Sequence, residues 1–190
     1  MVHGIGELHL AVCRRFGEAV RAADGKWDRR SPCDAWDARG VLEHVIGFHD
    51  VLLLRPLGLK PERPRDDPQV RWALTYDHLK LAFAAGLFQR VVDVPAVGSN
   101  PATQLDARTL VPNLTRDVVV HTWDLARAVG ADDRLDPRWC EHFYADLPHD
   151  PETLTASGMF NAPVDVNDQD DAQSRLLARL GRDPSWQPTD

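Results

Sequence analysis

The chain has 190 residues, 43% of them apolar and 27% charged, and a formal net charge of −7. That is enough chain for one domain with a real core and a trailing segment, at a normal globular balance. It excludes membrane-spanning segments, because no apolar run is long enough, and phosphate-backbone binding, because no basic stripe with interleaved aromatics occurs.

Gly4 to Ala23 reads as the first helix, with Leu8, Val12, Phe16 and Val20 recurring on one stripe and Asp24-Gly25 as its stop. "KWDRRSPCDAW" is a connector broken by Pro32. Asp37 is an N-cap for a second helix over Ala38 to Leu54, with Val41, Val45, Phe48 and Leu52 inward. Pro56 ends it, and "PLGLKPERPRDDP" carries four prolines, so it is a loop. A third helix covers Gln69 to Val91 on a looser pattern. "DVPAVGSNPATQLDARTLVPN" is a linker with an extended or short helical piece around Asp106 to Leu110. A fourth helix, Asn113 to Val129, places Leu114, Val118, His121, Leu125 and Ala128 on one seam and ends at Gly130. Shorter helices follow over Asp136 to Tyr144 and Asp171 to Leu180. Strand signals are weak and no repeat is present. The expected fold is all-α, a four-helix bundle with short C-terminal helices and a long second connection able to act as a crossover.

The N-terminus shows no basic stretch followed by a continuous apolar run, so no leader is expected. Cys13, Cys33 and Cys140 are widely spaced and form no C-x-x-C, which reads as reduced thiols at small core positions of a cytoplasmic chain. Neither a G-x-S-x-G elbow nor a phosphate loop occurs. The excess of Arg over Lys suits a GC-rich bacterial genome.

Chemistry concentrates in "DVVVHTWDL", Asp117 to Leu125. Asp117 and His121 stand four residues apart, hence on one helix face. A carboxylate and an imidazole are good ligands for a borderline dication, and bundles build metal sites from facing helices. His44, one helical step from Val41 and from Phe48, is the best third ligand, with His49 its rival. The set would leave a fourth position open, as in catalytic zinc sites. The plainer alternative stays open at this point: an inward His is ordinarily hydrogen-bonded core, and Asp-x-x-x-His is ordinarily a buried pair. His9, His78 and Asp77 are further candidates for the third ligand but read rather as surface, and His3, His142 and His149 read as terminal or loop residues without a role. Asp124 either orients His121 through its other N–H or pairs with Arg127 or Arg21. Trp36 and Trp123 read as packing anchors, and Cys33 as structural.

Three segments together resemble one family. "SPCDAWDARGVLEHVIG" (Ser31 to Gly47) and "RDVVVHTWDLARAVG" (Arg116 to Gly130) are similar to the two bundle blocks of the mycothiol-dependent maleylpyruvate isomerase-like proteins, of the DinB-like superfamily. "FNAPVDVNDQDDAQSRLLARLGRDPSW" (Phe160 to Trp186) resembles the tail of a short actinobacterial subgroup. The resemblance implies an up-down-down-up DinB-like bundle over residues 1–190, with about 131–190 as an extension packed on it. It implies a divalent metal, usually zinc and in some relatives nickel, at His44, Asp117 and His121. It also implies a low-molecular-weight thiol such as mycothiol or bacillithiol as cosubstrate, used for S-transfer or isomerisation of a small electrophile. Two departures matter. The acid in the isomerase pattern is usually Glu, one methylene longer than Asp117, which implies a tighter, water-bridged or weaker site. The isomerase itself carries a further C-terminal domain for which this chain is too short, so maleylpyruvate is a poor guess. A metal-dependent amide or ester hydrolase, or a non-catalytic ligand-binding or dimerisation module, are the alternatives. No nucleic-acid or membrane partner is expected, and a homodimer through bundle faces stays open.

Overall fold

A computed structural model describes residues 4–96, 101–156, 160–167 and 169–188. His3 and part of the linker after the third helix lie outside them. The four bundle helices are α1 (Ile5–Ala22), α2 (Ala38–His49), α3 (Pro68–Ala84) and α4 (Ala107–Val129). Between α3 and α4 lies a two-stranded ribbon, β1 (Val91–Val94) and β2 (Thr103–Asp106), paired antiparallel. Helices α5 (Pro137–Ala145), α6 (Pro151–Thr155) and α7 (Ala172–Arg179) follow. Among the described residues no helix is long and apolar enough to cross a membrane.

Side-chain partners give the helix directions. His9 meets Thr115 and Lys26 meets the Val129 carbonyl, a nearly constant offset that makes α1 and α4 parallel. Phe16 meets Trp72 and His9 meets Phe83, so α3 runs against α1. Glu43 pairs with Arg71 and His49 packs on Trp72, which sets α2 alongside α3 in the same sense. The order is up-down-down-up, as the resemblance implies. The core is continuous, with Phe16, Leu42, Leu53, Leu79, Trp123 and Leu125 fully buried.

Boundaries differ from the sequence reading for local reasons. The second helix does not stay α to Leu54: from Asp50 it widens into a π turn, Asp50–Leu54, and then tightens into a 3₁₀ turn, Arg55–Leu57. Inside the π turn Asp50 accepts two hydrogen bonds from Arg63, at 2.9 and 2.7 Å. The third helix stops at Ala84 rather than Val91, because Gly86 takes a left-handed φ of 81° and the chain turns into β1. The fourth helix starts six residues before Asn113. Asp106 caps it through the Arg108 N–H at 2.6 Å, and Pro112 sits inside it. Proline in the second turn costs one backbone hydrogen bond, and the buried Val111 and Leu114 on either side hold the helix through it. His9, read as surface, is fully buried.

The C-terminal segment returns to the bundle through Gly181 and Arg182. Gly181 has a φ of 76°, and a Cβ there would stand 2.7 Å from the Asn161 carbonyl oxygen. Only glycine fits that approach, and it sets the next residue, Arg182, against α4.

Candidate metal centre

His44 and Asp117 face each other across the α2–α4 seam, with His121 one turn above Asp117. Asp117 Oδ2 is 3.4 Å from His44 Nε2, and Oδ1 is 3.5 Å from His121 Nε2. All three offer one ligand atom within 4.8 Å of the others. The short Asp117 side chain therefore reaches both imidazoles from its own helix. His49, the rival third residue, points away to α1, because five residues turn a helix by about 140°.

The rings are fixed. Trp36 stacks on His44 with centroids 4.1 Å apart and planes 25° from parallel. It meets His121 edge-on at 5.5 Å. Trp36 thus touches the centre and is more than a packing anchor, whereas Trp123 is wholly in the core. His121 Nδ1 lies 2.8 Å from Asp124 Oδ2. Asp124 is fully buried and accepts two further hydrogen bonds from Arg182, at 2.9 and 3.0 Å. Its cationic partner is therefore Arg182, and neither Arg127 nor Arg21. Arg127 instead pairs with Asp133 at 2.7 Å.

Electrostatics follow from this arrangement. Burial lowers the His121 pKa, but the Asp117 charge and hydrogen bond, with Asp124 behind it, outweigh burial and raise it to about 9. Burial raises Asp117, and the two imidazoles, His121 foremost, hold it well below the usual carboxylate range. Burial likewise raises Asp124, against which the His121 hydrogen bond and the Arg182 charge prevail. Without a cation, His121 is an imidazolium between two carboxylates at neutral pH.

The centre opens into a cavity of about 600 Å³, walled also by Cys33, Phe48, Phe160, Asn161 and Arg182. A neighbouring hollow of about 480 Å³ shares Phe48, Asp117 and Phe160 and extends to Arg116. Burial pushes the Cys33 thiol up, so it stands in the wall as a protonated thiol. The donor set fits a divalent cation. It comprises two imidazole Nε2 atoms and a carboxylate, with one imidazole anchored at Nδ1 and an open side toward a cavity.

Arg182, Phe160 and the stacked role of Trp36 were not legible in the sequence pattern. Arg182 is 58 residues from Asp124, beyond any periodicity. The nearness of Trp36 was traceable: it lies just before the N-cap Asp37 and two turns before His44.

The sequence profile of the mycothiol maleylpyruvate isomerase N-terminal domain family matches residues 9–126, more than half of the chain. Uncharacterised proteins of two Mycobacterium tuberculosis strains, CDC 1551 and H37Rv, are each 28% identical over 108 residues. The alignment spans 56% of this chain and 57% of theirs. No solved structure matches significantly.

Proposed function

The chain belongs to the mycothiol maleylpyruvate isomerase N-terminal domain family, and from that premise we propose a divalent-metal-dependent protein that uses a mycothiol-type thiol for S-transfer or isomerisation of a small electrophile. The carrying observation is the convergence of His44, Asp117 and His121 on one point at the floor of a cavity. These three would hold the metal, zinc or nickel. A cation there would supply Lewis acidity, lowering the pKa of a thiol brought to it.

The remaining residues act on position. Asp124 takes the His121 Nδ1 proton in a hydrogen bond and so directs Nε2 at the centre. Arg182 keeps Asp124 ionised in the core. Trp36 limits rotation of the His44 ring by stacking on it. Phe48 and Phe160 give the cavity an apolar wall that sheds water around a bound electrophile. The cavity volume suits a small ligand with its thiol partner. In this reading residues 131–190 are an extension that completes the site, supported by the Arg182–Asp124 pair. The protein acts in the cytoplasm, in keeping with three unpaired cysteines.

Metal content tests the centre. Purified without a His tag, the wild type should retain zinc or nickel, and His44→Ala and His121→Ala should each lose one equivalent per chain. Equal content in all three sinks the assignment. Saturable binding of mycothiol only to the loaded wild type supports thiol chemistry. Cleavage of amide or ester substrates without thiol would favour a hydrolase instead.

A further inference from the structure

On the other side of α2 the bundle interior holds a second convergence of ligand atoms. His9 Nε2 and His49 Nε2 are 3.1 Å apart. Cys13 Sγ is 3.5 Å from the first and 3.9 Å from the second. All three residues are buried. The construction parallels the centre above: an i, i+4 pair on one helix, here His9 and Cys13 on α1, joined by one histidine of α2.

Both Nε2 atoms are left without a proton by the hydrogen bonds around them. The Thr115 hydroxyl oxygen is 2.6 Å from the Val111 carbonyl, and only the hydroxyl can supply the proton between those oxygens. Thr115 therefore donates to Val111 and accepts from His9 Nδ1–H at 2.8 Å. His49 Nδ1–H donates to the Val45 carbonyl at 2.6 Å. A neutral imidazole carries one N–H, so the two Nε2 lone pairs point at each other. The Cys13 thiol is a weak donor and can serve only one of them. An added proton would leave a charge in a core walled by Phe83 and Trp72. The nearby Asp50 carboxylate is already taken by Arg63.

A cation removes this conflict. Bonds of about 2.0–2.1 Å to nitrogen and about 2.3 Å to sulfur place tetrahedral donors about 3.3–3.6 Å apart, close to the spacings here. The geometry points to a buried three-ligand site for a thiophilic d¹⁰ cation, Cu⁺ or Zn²⁺, held by His9 Nε2, Cys13 Sγ and His49 Nε2. Among the described residues no fourth His, Cys, Asp or Glu joins the cluster. Coordination forms a metal–sulfur bond and sends the thiol proton to solvent. The thiolate leaves the site neutral with Cu⁺ and singly positive with Zn²⁺, so burial favours the monovalent ion. The ligands close around the ion as α1 and α2 come together, so loading accompanies folding.

This cluster is separate from the cavity centre, whose ligand set has no sulfur. The test is refolding with Co²⁺ as the optical probe for Zn²⁺, and with Cu⁺ against a chromophoric chelator. A Cys33→Ser/Cys140→Ser variant leaves Cys13 as the one thiol of the chain. It should show a thiolate-to-cobalt charge-transfer band or bind one equivalent of Cu⁺, and His121→Ala should keep that signal. Adding Cys13→Ser should remove it with the loss of one equivalent. Should that last variant not fold, the folded Cys13-only protein decides by itself. No charge-transfer band and no chelator-resistant Cu⁺ in it would overturn the proposal and leave a hydrogen-bonded core cluster.

Discussion

Arg182→Ala should destabilise the protein by about 3–5 kcal/mol, the cost of stripping one partner from a buried ion pair. At this chain length that lowers Tm by roughly 6–20 °C. Arg182 grips both oxygens of Asp124, and the two side chains are 6% and 0% exposed. Removing the guanidinium leaves a carboxylate in the core with only the His121 N–H for a partner. Arg182→Lys should recover part of the loss, since a point charge cannot reproduce the fork of donors. Arg134→Ala is the control: its pair with Asp132 lies at the surface, and its removal should not move the transition measurably. Urea unfolding reads all three. A shift for Arg182→Ala no larger than the control would mean that Asp124 is solvated or neutral in the fold.

The same substitution reaches the candidate centre. Asp124 Oδ2 receives both the Arg182 and the His121 hydrogen bonds, so a carboxylate that protonates or swings away frees the imidazole to rotate. Metal affinity should fall with stability in Arg182→Ala, by about 10–100-fold, the usual loss on removing an outer partner of a ligand. That outcome would make the C-terminal return through Gly181 part of the candidate centre's support.

The bundle and the α4 pair were legible in the residues because period and face coincide there. Leu114, Val118, His121 and Leu125 fall on one seam, and the structure buries all of them. The α1 histidine was not legible. A strict i, i+4 row drifts by about 40° per step, so the row through Val12, Phe16 and Val20 extends back to the half-buried Leu8 and passes over its buried neighbour His9. The buried set is His9, Val12, Cys13, Phe16, Gly17, Ala19 and Val20. It alternates long and short steps and puts His9 in the core. The β-ribbon was hidden for another reason: each strand has four residues, too short for alternation to show. Asp124's true partner depends on a tertiary return of the chain, which composition and period do not encode.

The two histidine clusters should give the metal-free protein opposite pH limbs. Burial lowers the His49 pKa from 6.5 to about 4, and burial with the neighbouring His49 lowers His9 as well. The unfolded chain takes up protons on these rings near pH 6.5 and the fold does not. Stability therefore falls as pH drops from 6.5 toward 4, by about 3 kcal/mol for His49 alone. Where both rings contribute, the fall is steeper than for one ring alone. The groups acting on them are the Cys13 thiol, Thr115, the Val45 carbonyl, the charges of Asp117 and His44 across α2, and the Asp50–Arg63 pair beyond. His121 behaves in the reverse sense. Its pKa is raised to about 9, so its contribution is complete below pH 6.5 and is lost as pH rises through 9. Urea midpoints measured with a chelator from pH 4 to 10 should peak near neutrality and fall on both sides. A flat profile between pH 6.5 and 5 would mean that His9 and His49 already share a proton in the fold. Zn²⁺ or Cu⁺ should then lift the acid limb first in His121→Ala, where only the buried cluster remains to bind it.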